Sequence, residues 1–522
     1  MSGQSGERPP WLQATGGIVL DPRVERGLRW SLMRQVVTLL ISTIGVLAYT
    51  RLLQPEDLGA VALAFLVYSG LLLLVQAPIR DAVVYYQEGE AAYSSAAFWL
   101  LLVFGALSLG LVLVLARPLG RFYDSIQAAA LTRAIAVAFF FDALAVVPGA
   151  LLLKHFRFAI HESLQTVYVL ILLVGWVALA ANGWGAWSLI LPQIAGAVFW
   201  AAATWLAAGF RPLLRPGREA YRGIVRFSRS LLGSNFVVYL KANLDQAAVG
   251  TLGEAPLGWY SFGESQSAFA VLGVGLPVAR VALPAMAEVQ TRLDEVQARL
   301  AEVRRVYLEM LRLAATLGTP WQVGAFVLAD LGILVLFGEQ WLGAVVVFRA
   351  YLTFRLIQTL LSISDAVVSA LGRPQIRFAV DLAQLPFFVA GVWFGLRVWG
   401  GIEGVAWSLA IVRSLAGLVY LVVSMRLTRL SAGTLVRYLL PSSLASLLMG
   451  LLVYGLRSSG WVQAWLATEN LLGTLLVLVL MGVTSYFLAL YALDRSSFRQ
   501  VRAMAWRVAV PGSVRDRLAR LL

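Results

Sequence analysis

The sequence predicts an all-α integral membrane protein of about fourteen transmembrane helices, arranged as two pseudo-symmetric six-helix lobes followed by two C-terminal helices. Three observations predict it. Of 522 residues, 60% are hydrophobic and only 13% are charged, about half the charged share of an ordinary soluble domain; mean hydropathy is +0.78. The apolar residues come in runs of roughly twenty, the length at which a helix crosses the hydrocarbon, and not in the alternating segments of about ten residues that build a β-barrel. Finally, the pattern of the first half recurs in the second.

Taken in order, the runs place spans at roughly 29–52, 58–79, 94–116, 127–150, 163–181, 186–209, 230–252, 258–279, 313–337, 344–371, 379–399, 403–425, 434–456 and 470–493. Gly and Pro punctuate the breaks, as at Pro55, Pro78, Pro212, Pro256 and Gly372-Arg373-Pro374. Residues 1–28 are polar and lack the apolar core of a signal peptide, so they are expected as a cytoplasmic tail. Spans one to six (29–210) form the first lobe, 211–229 a basic cytoplasmic linker, spans seven to twelve (230–430) the second lobe, and 431–493 the last two spans. Residues 494–522 are a basic amphipathic cytoplasmic tail, with Trp506, Val508, Val510 and Leu518 interleaved among arginines.

Orientation follows from Lys and Arg. The linker alone carries Arg211, Arg215, Arg218, Arg222, Arg226 and Arg229, whereas the loops assigned to the outside carry few, which puts both termini in the cytoplasm of a bacterial inner membrane. The net charge of +14 is therefore distributed by topology and does not imply nucleic acid. There is no cysteine and there are only two histidines, His155 and His161, which excludes disulfides, thiol catalysis and a His- or Cys-built metal centre. No glycine-rich phosphate loop followed by Lys is present, so this chain alone does not use ATP. Glu56-Asp57 could be read as a catalytic pair, but it follows Pro55 and fits an ordinary helix start. No enzyme is expected.

The repeat is read from two offsets. Ser31-Leu32, Leu53, Leu58-Gly59 and Pro78 recur 199 residues later as Ser230-Leu231, Leu252, Leu257-Gly258 and Pro277. Arg157-Phe158-Ala159 and Ala186-Trp187-Ser188-Leu189 recur 220 residues later at 377–379 and 406–409. The lengthening falls at the charged, amphipathic segment 289–312, which reads as an insertion that continues as helix into the ninth span. Two six-span halves have the same orientation and are related by an axis along the membrane normal, an arrangement used for alternating access.

Ionisable groups within hydrocarbon are costly and usually face a wet interior. The first span aligns Ser31, Arg34, Gln35, Thr38 and Ser42; the seventh aligns Ser230, Ser234, Lys241 and Asp245, and at the offset of 199 Ser31, Gln35 and Ser42 fall on Ser230, Ser234 and Lys241. Both stripes are candidates for a central substrate cavity, with a local Lys241–Asp245 pair as the plainer alternative. Arg349 and Arg355 of the tenth span are further candidates, but six residues apart they cannot share a helix face. Asp142, Asp245, Glu264 and Asp365 are candidates for a coupling H+ or Na+; no other cofactor is expected. Of the 42 basic residues only Lys154 and Lys241 are lysine. Guanidinium suits phosphate, although so uniform a bias also fits base composition.

At this point the chain resembles a known family. Thr50-Arg51-Leu52-Leu53-Gln54-Pro55-Glu56-Asp57-Leu58-Gly59 is similar to the first outer loop of the polysaccharide transporter (Wzx-type) flippases of the multidrug/oligosaccharidyl-lipid/polysaccharide (MOP) exporter superfamily. Asn243-Leu244-Asp245, Gly250-Thr251-Leu252-Gly253 and Leu257-Gly258-Trp259-Tyr260 resemble its seventh span and following turn, and Gly185-Ala186-Trp187 and Gly404-Val405-Ala406-Trp407 fit as well. The resemblance covers roughly residues 25–430. It implies two lobes forming a V around a cationic cavity, and outward flipping of undecaprenyl-diphosphate-linked oligosaccharide for O-antigen, capsule or exopolysaccharide assembly, alongside a polysaccharide polymerase and other assembly proteins. A cavity role carries over only to Arg34, Lys241 and Asp245. A peptidoglycan-precursor flippase, a cation-coupled drug exporter and a membrane glycosyltransferase or polymerase are the rival readings. The last of these usually carries a large outer loop, which this chain lacks.

Overall fold

The structure, a computed structural model, describes residues 44–269, 296–373, 375–460 and 470–499, with isolated residues at 271, 273, 278, 286, 462, 501 and 502. The described residues are helical with no strand. Of the first expected span only 44–52 is described, as helix over 44–50 and a turn after it. The helices that follow are α1 (Pro55–Leu71), α2 (Ala77–Tyr85), α3 (Glu90–Phe122), α4 (Ile126–Lys154), α5 (Phe158–Ala181), α6 (Trp187–Ala208), α7 (Arg218–Val249) and α8 (Glu254–Ser267). Then come α9 (Val296–Val327), α10 (Ala329–Phe337), α11 (Val345–Ala370), α12 (Gln375–Phe394), α13 (Gly401–Leu427), α14 (Ala432–Arg457) and α15 (Leu471–Leu493). A π-helical turn, Leu72–Gln76, joins α1 to α2. Ten of these helical stretches are long and apolar enough to cross a membrane, or eleven if α9 and α10 together make one bent span.

The chain divides into two compact units: residues 1–53 with 64–236, and residues 54–63 with 237–522. In the first unit α4 is the central helix. Its Ala-rich sequence leaves little side-chain bulk along much of its length, so α3 and α6 approach its backbone closely. Ala220 and Ile224 are buried in the same core. That packing explains why residues 218–229, expected as linker, form the opening turns of α7. In the second unit α9, α11, α13 and α14 share one apolar core, and α15 packs with α14 in another.

The ninth expected span, 313–337, is not a single straight helix. It breaks at Leu328, where α9 and α10 meet at 80°. Backbone carbonyls left free by a break inside hydrocarbon need partners. Arg349 donates to the Phe326 carbonyl at 3.1 Å and Arg457 to that of Val327 at 3.1 Å, while both guanidiniums pair with Asp330. The inserted segment, described from Val296 onward, does run on into the span as helix. Near its midpoint Arg312 binds Asp494, just beyond α15, at 2.5 Å. Burial acts to raise the Asp494 carboxyl, but hydrogen bonds from Ser496, Ser497 and Arg312 outweigh it and hold the group well below the usual carboxylate range.

The repeat has a physical counterpart in the second unit. Residues 55 and 254 are themselves 199 apart, and so are Gly59 and Gly258. A Cβ on Gly59 would lie 1.8 Å from the Glu254 carbonyl oxygen, and one on Gly258 would lie 1.9 Å from that of Pro55. The contact is reciprocal, as a local two-fold axis between equivalent helix starts requires, and only glycine permits it. Pro55 opens α1, and Asp57 accepts the Gln54 N–H at 3.1 Å, the reach-back of a capping box. The pair Glu56-Asp57 is thus placed as a helix start. The offset of 220 also holds: Ser188 donates to the Gly185 carbonyl at 2.6 Å and Ser408 to that of Val405 at 3.0 Å. Gly59→Ala and Gly258→Ala should each destabilise at or above the top of the roughly 1–3 kcal/mol range for overpacking, because the opposing atoms are backbone and cannot turn aside. Thermal melting of the purified variants checks this; two wild-type midpoints would mean the crossing is looser than these distances.

Candidate functional site

The second unit contains a cavity of about 830 Å³ whose polar wall comes from α7, α8, α11, α12 and α13. Each helix contributes through its 3–4-residue period. Lys241 and Gln246 come from α7, Glu264 from α8, Arg355 and Asp365 from α11, Arg377 and Asp381 from α12, and Arg413 and Tyr420 from α13.

Through Arg413 and Glu264 its wall joins a buried network. Asp245 is wholly buried, 0% exposed, and its Oδ2 accepts hydrogen bonds from Tyr260 (3.0 Å), Tyr351 (2.9 Å) and Arg413 (3.0 Å). The two tyrosine hydroxyls are 2.6 Å apart. Arg413, itself only 10% exposed, also pairs with Glu264 at 3.2 Å and donates to the Lys241 carbonyl at 3.1 Å. Gln246 holds the other Glu264 oxygen at 3.1 Å. The faces of Tyr351 and Phe388 lie 5.2 Å and 5.1 Å from the Arg413 guanidinium carbon, within cation–π range. One cation thus serves two carboxylates away from water.

A second, wetter group lines the same cavity. Lys241 pairs with Asp381 at 2.5 Å. Arg377, whose side chain is 61% exposed, approaches Asp381 at 3.8 Å and pairs with Asp365, which also accepts from Tyr420 at 3.0 Å. Arg355 differs from all of these. Its guanidinium donates to Ser267 Oγ (3.2 Å), Gln358 Oε1 (2.6 Å) and the Glu264 carbonyl (3.4 Å), all neutral acceptors. Among the described residues no carboxylate lies within ion-pair distance of it, although the charges of Glu264 and Asp245 are near, so its hydrogen-bonding edge can still serve an anion in the cavity.

The sequence-derived candidates separate accordingly. Arg34, Gln35, Thr38 and Ser42 lie outside the described residues. Lys241 lines the cavity, but it does not pair with Asp245: the two share a face of α7, yet Asp381 and Arg413 on neighbouring helices meet them there. Arg355 lines the cavity, whereas Arg349 does not, because it is held at the α9–α10 break by Asp330 and the Phe326 carbonyl. Their six-residue spacing turns them to different sides of α11. Glu264 and Asp365 are in the cavity wall, each in an ion pair. Asp142 is in the first unit, bound to Tyr68. Sequence reasoning did not single out Tyr351, Gln358 or Tyr420. Nothing marks a tyrosine in an apolar helix as a carboxylate partner until its neighbours are known. No group of three or more His, Asp or Glu that could hold a metal occurs among the described residues.

A family model described as polysaccharide biosynthesis protein matches residues 46–346. The succinoglycan biosynthesis transport protein ExoT of Rhizobium meliloti is 25% identical over 327 residues, which are 61% of this chain and 63% of that protein. The teichuronic acid biosynthesis protein TuaB of Bacillus subtilis is 22% identical over 72% of this chain and 77% of its own length. The lipopolysaccharide biosynthesis protein WzxC of Escherichia coli is 20% identical over 72% and 76%. In fold, the chain is similar to the lipid II flippase MurJ, with a TM-score of 0.72 at 13% identity, covering 90% of this chain and 98% of MurJ. It is also similar to a multidrug resistance MATE family transporter of the MOP superfamily, with a TM-score of 0.57 at 17% identity, covering 76% and 95%.

Proposed function

The chain belongs to the polysaccharide biosynthesis protein family, and from that premise we propose that it is a transporter of the MOP superfamily that flips undecaprenyl-diphosphate-linked oligosaccharide from the cytoplasmic to the outer leaflet of a bacterial inner membrane, by alternating access and with both termini cytoplasmic. The observation that carries this reading is Arg355: a guanidinium in a cavity wall, hydrogen-bonded only to neutral acceptors. A diphosphate supplies an anion at ion-pair distance and can take two N–H donors at once. Lys241 and Arg377 stand on the same wall, and their pairs with Asp381 and Asp365 are partly solvated, so phosphate oxygens can take the place of those carboxylates at small cost. The glycan needs no dry contact, because it stays in a water-filled cavity.

The driving force follows from charge. A diphosphate carries about two negative charges, and an inside-negative potential favours their outward movement by roughly 2.3 kcal/mol per charge per 100 mV. In liposomes holding the purified protein and a fluorescent undecaprenyl-diphosphate oligosaccharide, the lipid should change leaflets only with protein present, and faster under an imposed potential. Failure with several glycan headgroups, together with efflux of an organic cation, would replace this reading by a drug exporter. Transport restricted to a peptidoglycan-precursor headgroup would replace it by a precursor flippase.

A further inference from the structure

The connection from α6 to α7, residues 209–217, is a shaped loop and not a free linker. The Gly209 N–H closes α6 on the Trp205 carbonyl at 3.1 Å, and Pro212 and Pro216 each fix one backbone angle. Ser95 Oγ on α3 accepts the Leu213 N–H at 2.8 Å, and the Trp99 indole N–H donates to the Leu213 carbonyl, also at 2.8 Å. Phe210 stands edge-on to Phe98 and Trp205, with ring centroids 5.9 and 5.7 Å away. All of these residues belong to the first unit.

The loop presents two kinds of side chain to its surroundings. Leu214 is 83% exposed, as is 86% of Leu206 in the last turn of α6. Arg211, Arg215 and Arg218 are exposed as well. Residues 211–229 carry six arginines and a single acid, Glu219. The level of the loop is set by the helices that hold it. α6 and α3 are both long and apolar enough to cross a membrane; the loop begins where α6 ends, and Ser95 and Trp99 lie in the first three turns of α3. It therefore lies where hydrocarbon meets headgroups, the level that tryptophan favours. There leucines enter the acyl region while guanidiniums reach phosphate oxygens.

One exposed leucine needs no explanation. Two of them with three guanidiniums on a fixed backbone match an anionic amphiphile. We propose that the 209–217 loop, with Leu206 and Arg218 at its ends, is a binding site for anionic phospholipid, for which phosphatidylglycerol is the probe. Guanidinium takes phosphate oxygens in pairs. A zwitterionic headgroup brings an ammonium that the three cations repel, so the site selects lipids of net negative charge. Its backbone is already held by Ser95 and Trp99, so little ordering opposes binding. The occupant is bulk phospholipid because a site at the bilayer boundary fills by mass action with the lipid around it. This inference does not depend on the flippase reading.

The test is thermal melting of the purified full-length chain in neutral detergent, titrated with phosphatidylglycerol, phosphatidylcholine or inorganic phosphate. Phosphatidylglycerol should raise the wild-type midpoint, because a ligand of the folded state stabilises it; the other two should not. A variant carrying Arg211→Gln, Arg215→Gln and Arg218→Gln should need about 100-fold more of that lipid for the same rise, at roughly fivefold per basic residue. A control carrying Arg222→Gln, Arg226→Gln and Arg229→Gln removes the same charge from α7 and should lose far less. Equal losses in the two variants would show net charge at work and overturn the site. Equal protection by phosphatidylcholine would overturn its selectivity, and equal protection by inorganic phosphate would overturn the lipid. Protection by undecaprenyl diphosphate but not by phosphatidylglycerol would hand the site to a transported lipid and overturn the assignment to bulk phospholipid.

Discussion

Arg413→Met is expected to cost about 3–5 kcal/mol of stability, the range for removing one partner of a buried ion pair. The residue is the shared cation of Asp245 and Glu264, and Asp245 is sealed from solvent with two tyrosine hydroxyls against it. Without the guanidinium, Asp245 remains with no cation where hydration cannot reach it, Glu264 in the cavity wall loses the same cation, and the Lys241 carbonyl loses a donor as well. The thermal midpoint of the purified protein should fall steeply. Adding Asp245→Asn and Glu264→Gln to the same variant should recover part of the loss, since neutral amides require no cation. A wild-type midpoint in Arg413→Met would show that the cluster is wetter than its burial indicates. Arg413 therefore holds the site together, and substrate binding is left to its neighbour.

Arg355→Ala, by contrast, should lower the melting midpoint much less than Arg413→Met and abolish most transport. Hydrogen bonds to a charged group contribute roughly 1.5–3 kcal/mol, so losing the diphosphate contact should weaken lipid affinity by about 10- to 100-fold. Arg355→Lys should recover only part of this, because an ammonium cannot reproduce the planar two-point contact with phosphate. The two arginines both lie near Glu264, yet the effects should separate: stability for Arg413, transport for Arg355. Equal transport by wild type and Arg355→Ala at limiting lipid would remove Arg355 from the binding site and with it the observation on which the substrate assignment stands.

Much of the architecture was legible because the bilayer imposes it. A helix that satisfies its own backbone and covers about 30 Å must be apolar over roughly twenty residues, so spans such as 127–150 and 470–493 coincide with α4 and α15 to within a few residues without reference to the rest of the fold. The break at Leu328 was not legible. It depends on carbonyls that Arg349 and Arg457 reach from two other helices, one of them 130 residues away. Gly59 and Gly258 were visible only as a repeated letter; their mutual contact gave the repeat its physical meaning.

The sequence by itself determined that this chain lies in the membrane, that its halves repeat, and that a small set of charged residues sits where charge is costly, because hydropathy, period and offset are properties of the chain alone. Only the tertiary structure decided what each charge does. Lys241 and Asp245 share a helix face but belong to different ion pairs; Arg349 caps a broken helix while Arg355 faces the cavity; and Asp142 meets a tyrosine hydroxyl where the other three candidate acids meet arginines. The physical reason is that pairing is decided by what neighbouring helices bring within about 3–4 Å, and some of those partners, such as Lys241–Asp381 and Asp245–Arg413, are 140 and 168 positions apart.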